Sequence, residues 1–92
     1  MLFRSPVIVG GDLNETADGP ARQLLEGVVR DPADQSEHTF PAAGPVRRID
    51  AVLVGDGVRV RQARAVRSTA RVSEERLAHA SDHLPTLLDV SL

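Results

Sequence analysis

The chain has no cysteine, lysine, tryptophan or tyrosine, and its only aromatic side chains are Phe3 and Phe40. The lack of cysteine excludes disulfides, thiolate zinc sites and thiol nucleophiles together. Stacking of single-stranded bases needs several aromatics, which excludes a platform of that kind. All 11 basic residues are arginine, a bias that GC-rich coding produces, so arginine number alone carries little weight. The formal net charge of −2 and a pI near 5.8 argue against a dominant grip on nucleic-acid phosphates. Apolar runs are only a few residues long, and none can span a bilayer. The opening Met-Leu-Phe-Arg-Ser-Pro has neither a long apolar core nor a small-residue cleavage site, so no signal peptide is expected and the cytoplasm is the default location.

What is present fits one small domain. The 92 residues are 41% hydrophobic, too apolar for a disordered tail. A domain of this size buries only about 60–65% of its unfolded surface, so its own core is thin. Val7-Ile8-Val9 reads as a strand ending in a sharp turn at Gly10-Gly11. Pro20 suits a first helical turn and Gly27 a stop, which predicts a helix over Ala21–Glu26. Residues 30–46 carry three prolines and read mainly as loop. Ile49–Val54 reads as a second strand. The Gly55-Asp56-Gly57 turn then predicts a hairpin with a third strand, Val58–Val66. One helical turn from Ser73 and a last strand, Thr86–Val90, complete the pattern. Strands 7–9 and 51–54 are apolar on both faces and want cover on both sides. One convincing helix can cover one side, so part of the fold is expected to be missing from this polypeptide.

Three clusters carry possible chemistry. Gly11-Asp12-Leu13-Asn14-Glu15 follows the first strand, Arg48-Ile49-Asp50 opens the second, and Ser81-Asp82-His83-Leu84-Pro85 precedes the last. Each sets a carboxylate at a strand end, where loops gather and sites form. Taken singly, each has an ordinary structural reading. Gly-Asp-x-Asn is common in turns, Asp50 can pair with Arg47 or Arg48, and Asp82 and His83 can form a turn before Pro85. Those readings weaken when all three clusters occur together at strand boundaries.

Other constellations fail. Asp12-x-Asn14 begins like a calcium loop, but Ala17 stands where that loop needs glycine and Gln23 where it needs an acid. Ser81 near His83 lacks the strand–turn–helix setting of a nucleophile elbow, and no Gly-rich phosphate loop occurs. His38 and His79 lie in polar stretches and read as surface or loop histidines. The arginines at 59, 61, 64, 67, 71 and 76 read as a solvated face rather than a nucleic-acid stripe, because Glu74 and Glu75 interrupt them.

The matching text is Val-Ile-Val-Gly-Gly-Asp-Leu-Asn-Glu (7–15), Thr-Phe-Pro (39–41), Arg-Arg-Ile-Asp-Ala-Val-Leu-Val (47–54) and Ala-Ser-Asp-His-Leu-Pro-Thr (80–86). In this order it resembles the endonuclease/exonuclease/phosphatase superfamily of DNase I-like proteins. The resemblance is to the C-terminal half of that domain. It implies an α/β fold, half of a four-layered sandwich of two facing sheets, with one mostly antiparallel or mixed sheet and one main helix. Residues 1–92 would form a single partial domain. No Gln-Glu pair precedes Gly-Asp-x-Asn, so the metal-binding Glu that the resemblance implies is expected to be missing.

The resemblance also implies roles. Asp12 orients or activates water, or protonates the leaving group. Asn14 bonds a nonbridging oxygen. Asp50 holds the ring of His83, which acts as general base or as a clamp on the phosphate. Asp82, with Asp12, sits at Mg²⁺ (or Mn²⁺), expected to be weakly bound or absent in this chain alone. One reading is therefore a metal-dependent hydrolase of a phosphodiester or phosphomonoester, incomplete as this chain and weak or inactive on generic substrates. A Mg²⁺-dependent activity abolished by His83→Ala would overturn the expectation of weakness. The substrate is a phosphate ester of unstated identity. Low basicity leans away from duplex nucleic acid and toward a small phosphoester or lipid headgroup. The second reading is a truncated, non-catalytic remnant that associates through its bare sheet face, with itself as a homodimer or with a missing N-terminal half.

Overall fold

Four strands and two short helices follow one another as β1 (Ile8–Asp12), α1 (Pro20–Leu25), β2 (Asp50–Val54), β3 (Arg59–Ala65), α2 (Glu74–Ala80) and β4 (Thr86–Ser91). They are seen in a computed structural model that describes residues 6–92; Met1 to Ser5, with Phe3 and most of the stretch read for a signal peptide, lie outside the described residues. The strands form two antiparallel pairs, β1 with β2 and β3 with β4. The class is α/β as expected, but two small sheets and two short helices stand in place of one sheet and one main helix.

The first strand does not end at Gly10-Gly11. Both glycines stay in the ladder, opposite Val52 and Ala51, and pairing runs on to Asp12 opposite Asp50. A further bond, Leu13 N–H to Ile49 O at 2.9 Å, carries the pairing one residue beyond β1. That register sets two carboxylates directly across from each other.

The predicted hairpin between the second and third strands does not form. Gly55 and Val58 do close a turn, with Val58 N–H donating to Gly55 O at 3.2 Å. The edge of β2 away from β1 is already occupied, however. Arg30 exchanges two backbone bonds of 2.8 Å with Val54 at one end, and Thr39 Oγ1 accepts the Asp50 N–H at the other. The connection over residues 30–39 therefore lies where β3 would have paired, and β3 turns instead to β4. A bulge between Val60 and Gln62 shifts that register.

Helix α1 begins at Pro20, whose missing N–H is no loss in a first turn. Its N-cap, Gly19, has no side chain to cap with, and Glu15 substitutes: Oε1 accepts the Arg22 N–H at 2.7 Å. A Cβ on Gly19 would lie 2.6 Å from that oxygen, so glycine here makes room for the cap. Helix α2 is capped by Ser73, whose side chain accepts the Arg76 N–H.

The core is small. Val29, Ala51 and Leu53 form its buried centre, with Leu13 and Leu25 packed against them. Burial of a side chain such as Leu53 contributes roughly 1.5–3 kcal/mol. Beneath α1, Asp31 ties two buried arginines, Arg22 at 3.0 Å and Arg48 at 2.8 Å. By contrast β1 is exposed along its length, with Ile8 49% and Val9 38% accessible. The cover that its two apolar faces call for is not supplied by the described residues. Among those residues no helix is long and apolar enough to cross a membrane.

Candidate active site

Antiparallel pairing brings Asp12, the last residue of β1, opposite Asp50, the first of β2. Like charges directly opposite destabilise a ladder, and the imidazole of His83 comes between them. Its Nδ1 lies 2.7 Å from Asp50 Oδ2 and its Nε2 3.7 Å from Asp12 Oδ2. His83 is delivered by the segment entering β4. Leu84 N–H donates to Thr39 O at 2.8 Å, and Ala42 N–H to Asp82 O at 2.7 Å, which fixes that segment on both sides of the histidine. The Phe40 ring packs on the imidazole with centroids 4.9 Å apart.

Asp50 is the sheltered acid of the pair. Its side chain is 13% accessible against 45% for Asp12, and its Oδ2 also accepts Thr39 Oγ1–H at 2.7 Å. A carboxylate can only accept, so Nδ1 carries the proton of its bond to Asp50. That hydrogen bond is the main reason the His83 pKa stands above its ordinary 6.5. Desolvation works against it, and the charges of Asp50, Asp12 and Asp82 add to it. Nε2 is left facing the space between Asp12 and Asp82, whose Oδ1 is 3.8 Å away.

Of the residues singled out in the sequence, Asp12, Asp50 and His83 are gathered, and each offers a ligand atom within 4.8 Å of the others. Asp82 stands at the rim, 79% exposed. Asn14 is tied to the site through its backbone, its N–H donating to Asp12 Oδ1 at 2.9 Å with φ at 57°. Among the described residues its side chain makes no hydrogen bond. Arg48, considered as a partner for Asp50, pairs with Asp31 instead. Thr39 and Phe40 join the site without having been assigned a role. The signal for them was the Thr-Phe-Pro text itself, which gives no hint that a loop residue meets Asp50. His79 lies on exposed α2 and His38 in the 30–46 loop, as expected.

Among the described residues of the site, the acids most open to a hard cation are Asp12 and Asp82. Asp50 Oδ2 is already shared by Thr39 and His83, whereas the exposed carboxylates of Asp12 and Asp82 lie 3.7 and 3.8 Å from Nε2. One or two carboxylates with retained waters is the usual hold on Mg²⁺. A groove of about 690 Å³ lies between residues 42–45 and α2, and Ala42 on its wall is the residue that bonds Asp82 O.

The model of the Endonuclease/Exonuclease/phosphatase family matches residues 2–83 of the chain. No curated protein and no solved structure matches it. The two small antiparallel sheets and two helices are consistent with a fragment of the DNase I-like α/β fold.

Proposed function

The chain belongs to the Endonuclease/Exonuclease/phosphatase family, and from that premise we propose that its site hydrolyses a phosphate ester with the help of a divalent cation. The observation that carries the reading is the His83 imidazole, pinned at Nδ1 by Asp50 and open at Nε2 between two further acids.

Hydrolysis needs a positioned water, compensation of charge on the phosphoryl oxygens and help for the leaving oxygen. Asp12 and Asp82 would hold Mg²⁺, which supplies charge compensation on those oxygens. The chain's own groups do the rest. In its protonated form, which the Asp50 hydrogen bond favours, His83 presents an Nε2–H to a nonbridging oxygen, a charge-assisted donor aimed where negative charge builds. Asp50 keeps the ring from turning and stabilises its protonated form. Asp12, at hydrogen-bonding reach of the same space, orients the attacking water or returns a proton to the leaving group. The Asn14 side chain, free of other bonds among the described residues, donates to a second nonbridging oxygen. The groove walled by Ala42, the residue bonded to Asp82 O, is the candidate place for the organic group of the ester. Its lining mixes Arg67 with Glu74 and Glu75 among small residues. That balance of charge favours a small phosphoester or headgroup over a polyanionic duplex.

The test is binding, read by NMR on ¹⁵N-labelled protein. Mg²⁺ is expected to shift Asp12 and Asp82. Phenylphosphonate, added with Mg²⁺ present, is expected to shift the His83 ring nitrogens, and Asp12→Asn should remove both effects. Phosphonate binding that leaves His83 untouched contradicts the assignment. The bare faces of β1 favour a second reading, a surface that associates with another apolar face. Sedimentation showing a monomer at high concentration would count against it.

A further inference from the structure

Thr39 is fully buried, 0% accessible, in a protein with few fully buried side chains. Its hydroxyl makes three contacts. It accepts from the backbone N–H of Ile49 and of Asp50, each at 3.3 Å, and reaches Asp50 Oδ2 at 2.7 Å. A hydroxyl has two lone pairs and one proton. With two N–H groups as donors to it, the proton goes to the carboxylate, so the direction of the bond is fixed. The oxygen it reaches is the one that takes His83 Nδ1. The backbone of the same residue is held at both ends, its N–H by Arg47 O and its carbonyl by the Leu84 N–H, each at 2.8 Å. Thr39 thus touches the strand that carries Asp50 and the residue next to His83.

We propose that Thr39 is a positioning residue for the Asp50–His83 pair: its hydroxyl fixes the rotation of the Asp50 carboxylate so that Oδ2 faces the imidazole. A carboxylate on a strand end can turn about its last side-chain bond at little cost. Two donors converging on one oxygen from different segments leave a single orientation that satisfies both. Thr39 touches neither substrate nor cation and acts through Asp50. The inference deepens the phosphate-ester reading and depends on it only for its purpose, because the geometry it concerns is measurable without turnover.

The test compares Thr39→Val with Thr39→Ser by NMR of the His83 ring, using ¹⁵N-labelled histidine in the full chain. At a pH high enough for the ring to be neutral, wild type and Thr39→Ser are expected to show the Nδ1-protonated tautomer and a downfield Nδ1–H signal protected from exchange. Thr39→Val should lose that signal and gain the Nε2-protonated form, while amides of β3 and β4 keep their positions. Thr39→Ala replaces the valine variant if the latter does not fold. A protected Nδ1–H signal that survives in Thr39→Val or Thr39→Ala overturns the proposal, as does its loss in a folded Thr39→Ser. If wild type and both variants behave as expected but phenylphosphonate does not reach His83, the positioning role stands and the hydrolytic reading falls.

Discussion

The Nδ1 of His83 lies 2.7 Å from Oδ2 of Asp50, across 33 positions of sequence. Because that bond favours the charged imidazole, it links the fold's stability to pH. The folded-state pKa is raised, so the stabilisation is complete below the unfolded value of 6.5 and is lost as pH rises through the folded value. Urea midpoints of wild type and His83→Gln, measured from about pH 5.5 to about pH 9, should therefore converge as pH increases. A gap that is constant or widens over that range would contradict the pairing.

Asp12 and Asp50 face each other across the ladder. Once His83 is neutral, nothing between them offsets the repulsion. Asp12→Asn should then stabilise the fold by about 0.2–1 kcal/mol at alkaline pH, while weakening Mg²⁺ binding. Denaturation and metal titration on the same variant check both halves, and a loss of stability would show that the two acids do not repel.

Asp31 is the keystone under α1. Burial would raise its pKa, but the Arg48 hydrogen bonds, the Ala33 N–H and the charges of Arg48 and Arg22 outweigh burial and hold it below the ordinary value. Its contribution is present at neutral pH and is lost as pH falls through the lowered folded-state value. Asp31→Asn leaves two buried guanidinium groups without a counter-charge and should cost about 3–5 kcal/mol. That is a large share of the stability of a small domain, so the variant is expected to be partly unfolded by circular dichroism. A wild-type urea midpoint in Asp31→Asn would refute it.

Glu15 and Gly19 act as one device. Glu15→Ala removes the cap of α1 and should cost about 1 kcal/mol. Gly19→Ala should cost a similar amount by pushing the Glu15 carboxylate away. In the Glu15→Ala background the Gly19→Ala change should cost less, since the carboxylate is gone and only the Cβ of residue 15, 2.8 Å away, is left in the way. Additive losses in the double-mutant cycle would rule out the shared mechanism.

Local chemistry made much of the molecule readable in advance. Pro20 and Gly27 marked α1, Ser73 marked α2, and the β-branched runs marked the strands. The acids and His83 were readable because each sits where a strand begins or ends. The partners of the strands were not readable. The Gly55-Asp56-Gly57 turn pointed to a hairpin, and only the long-range bonds of Arg30 and Thr39 to β2 show why β3 pairs elsewhere. Glycines 10 and 11 suggested a turn because local preference cannot register the pairing with Val52 and Ala51 that keeps them extended. Thr39 and Asp31 escaped for the same reason, as their importance lies entirely in contacts made at a distance along the chain.

On the proposed reading a phosphate ester lies against His83 Nε2 near Asp12 and Asp82, with Asp50 behind the ring at Nδ1. A crystal structure of the chain with Mg²⁺ and phenylphosphonate tests it most directly. A phosphonate oxygen bonded to His83 Nε2, with the cation held by Asp12 and Asp82, is the expected result. A phosphonate bound elsewhere, with His83 turned away from Asp50, would contradict it.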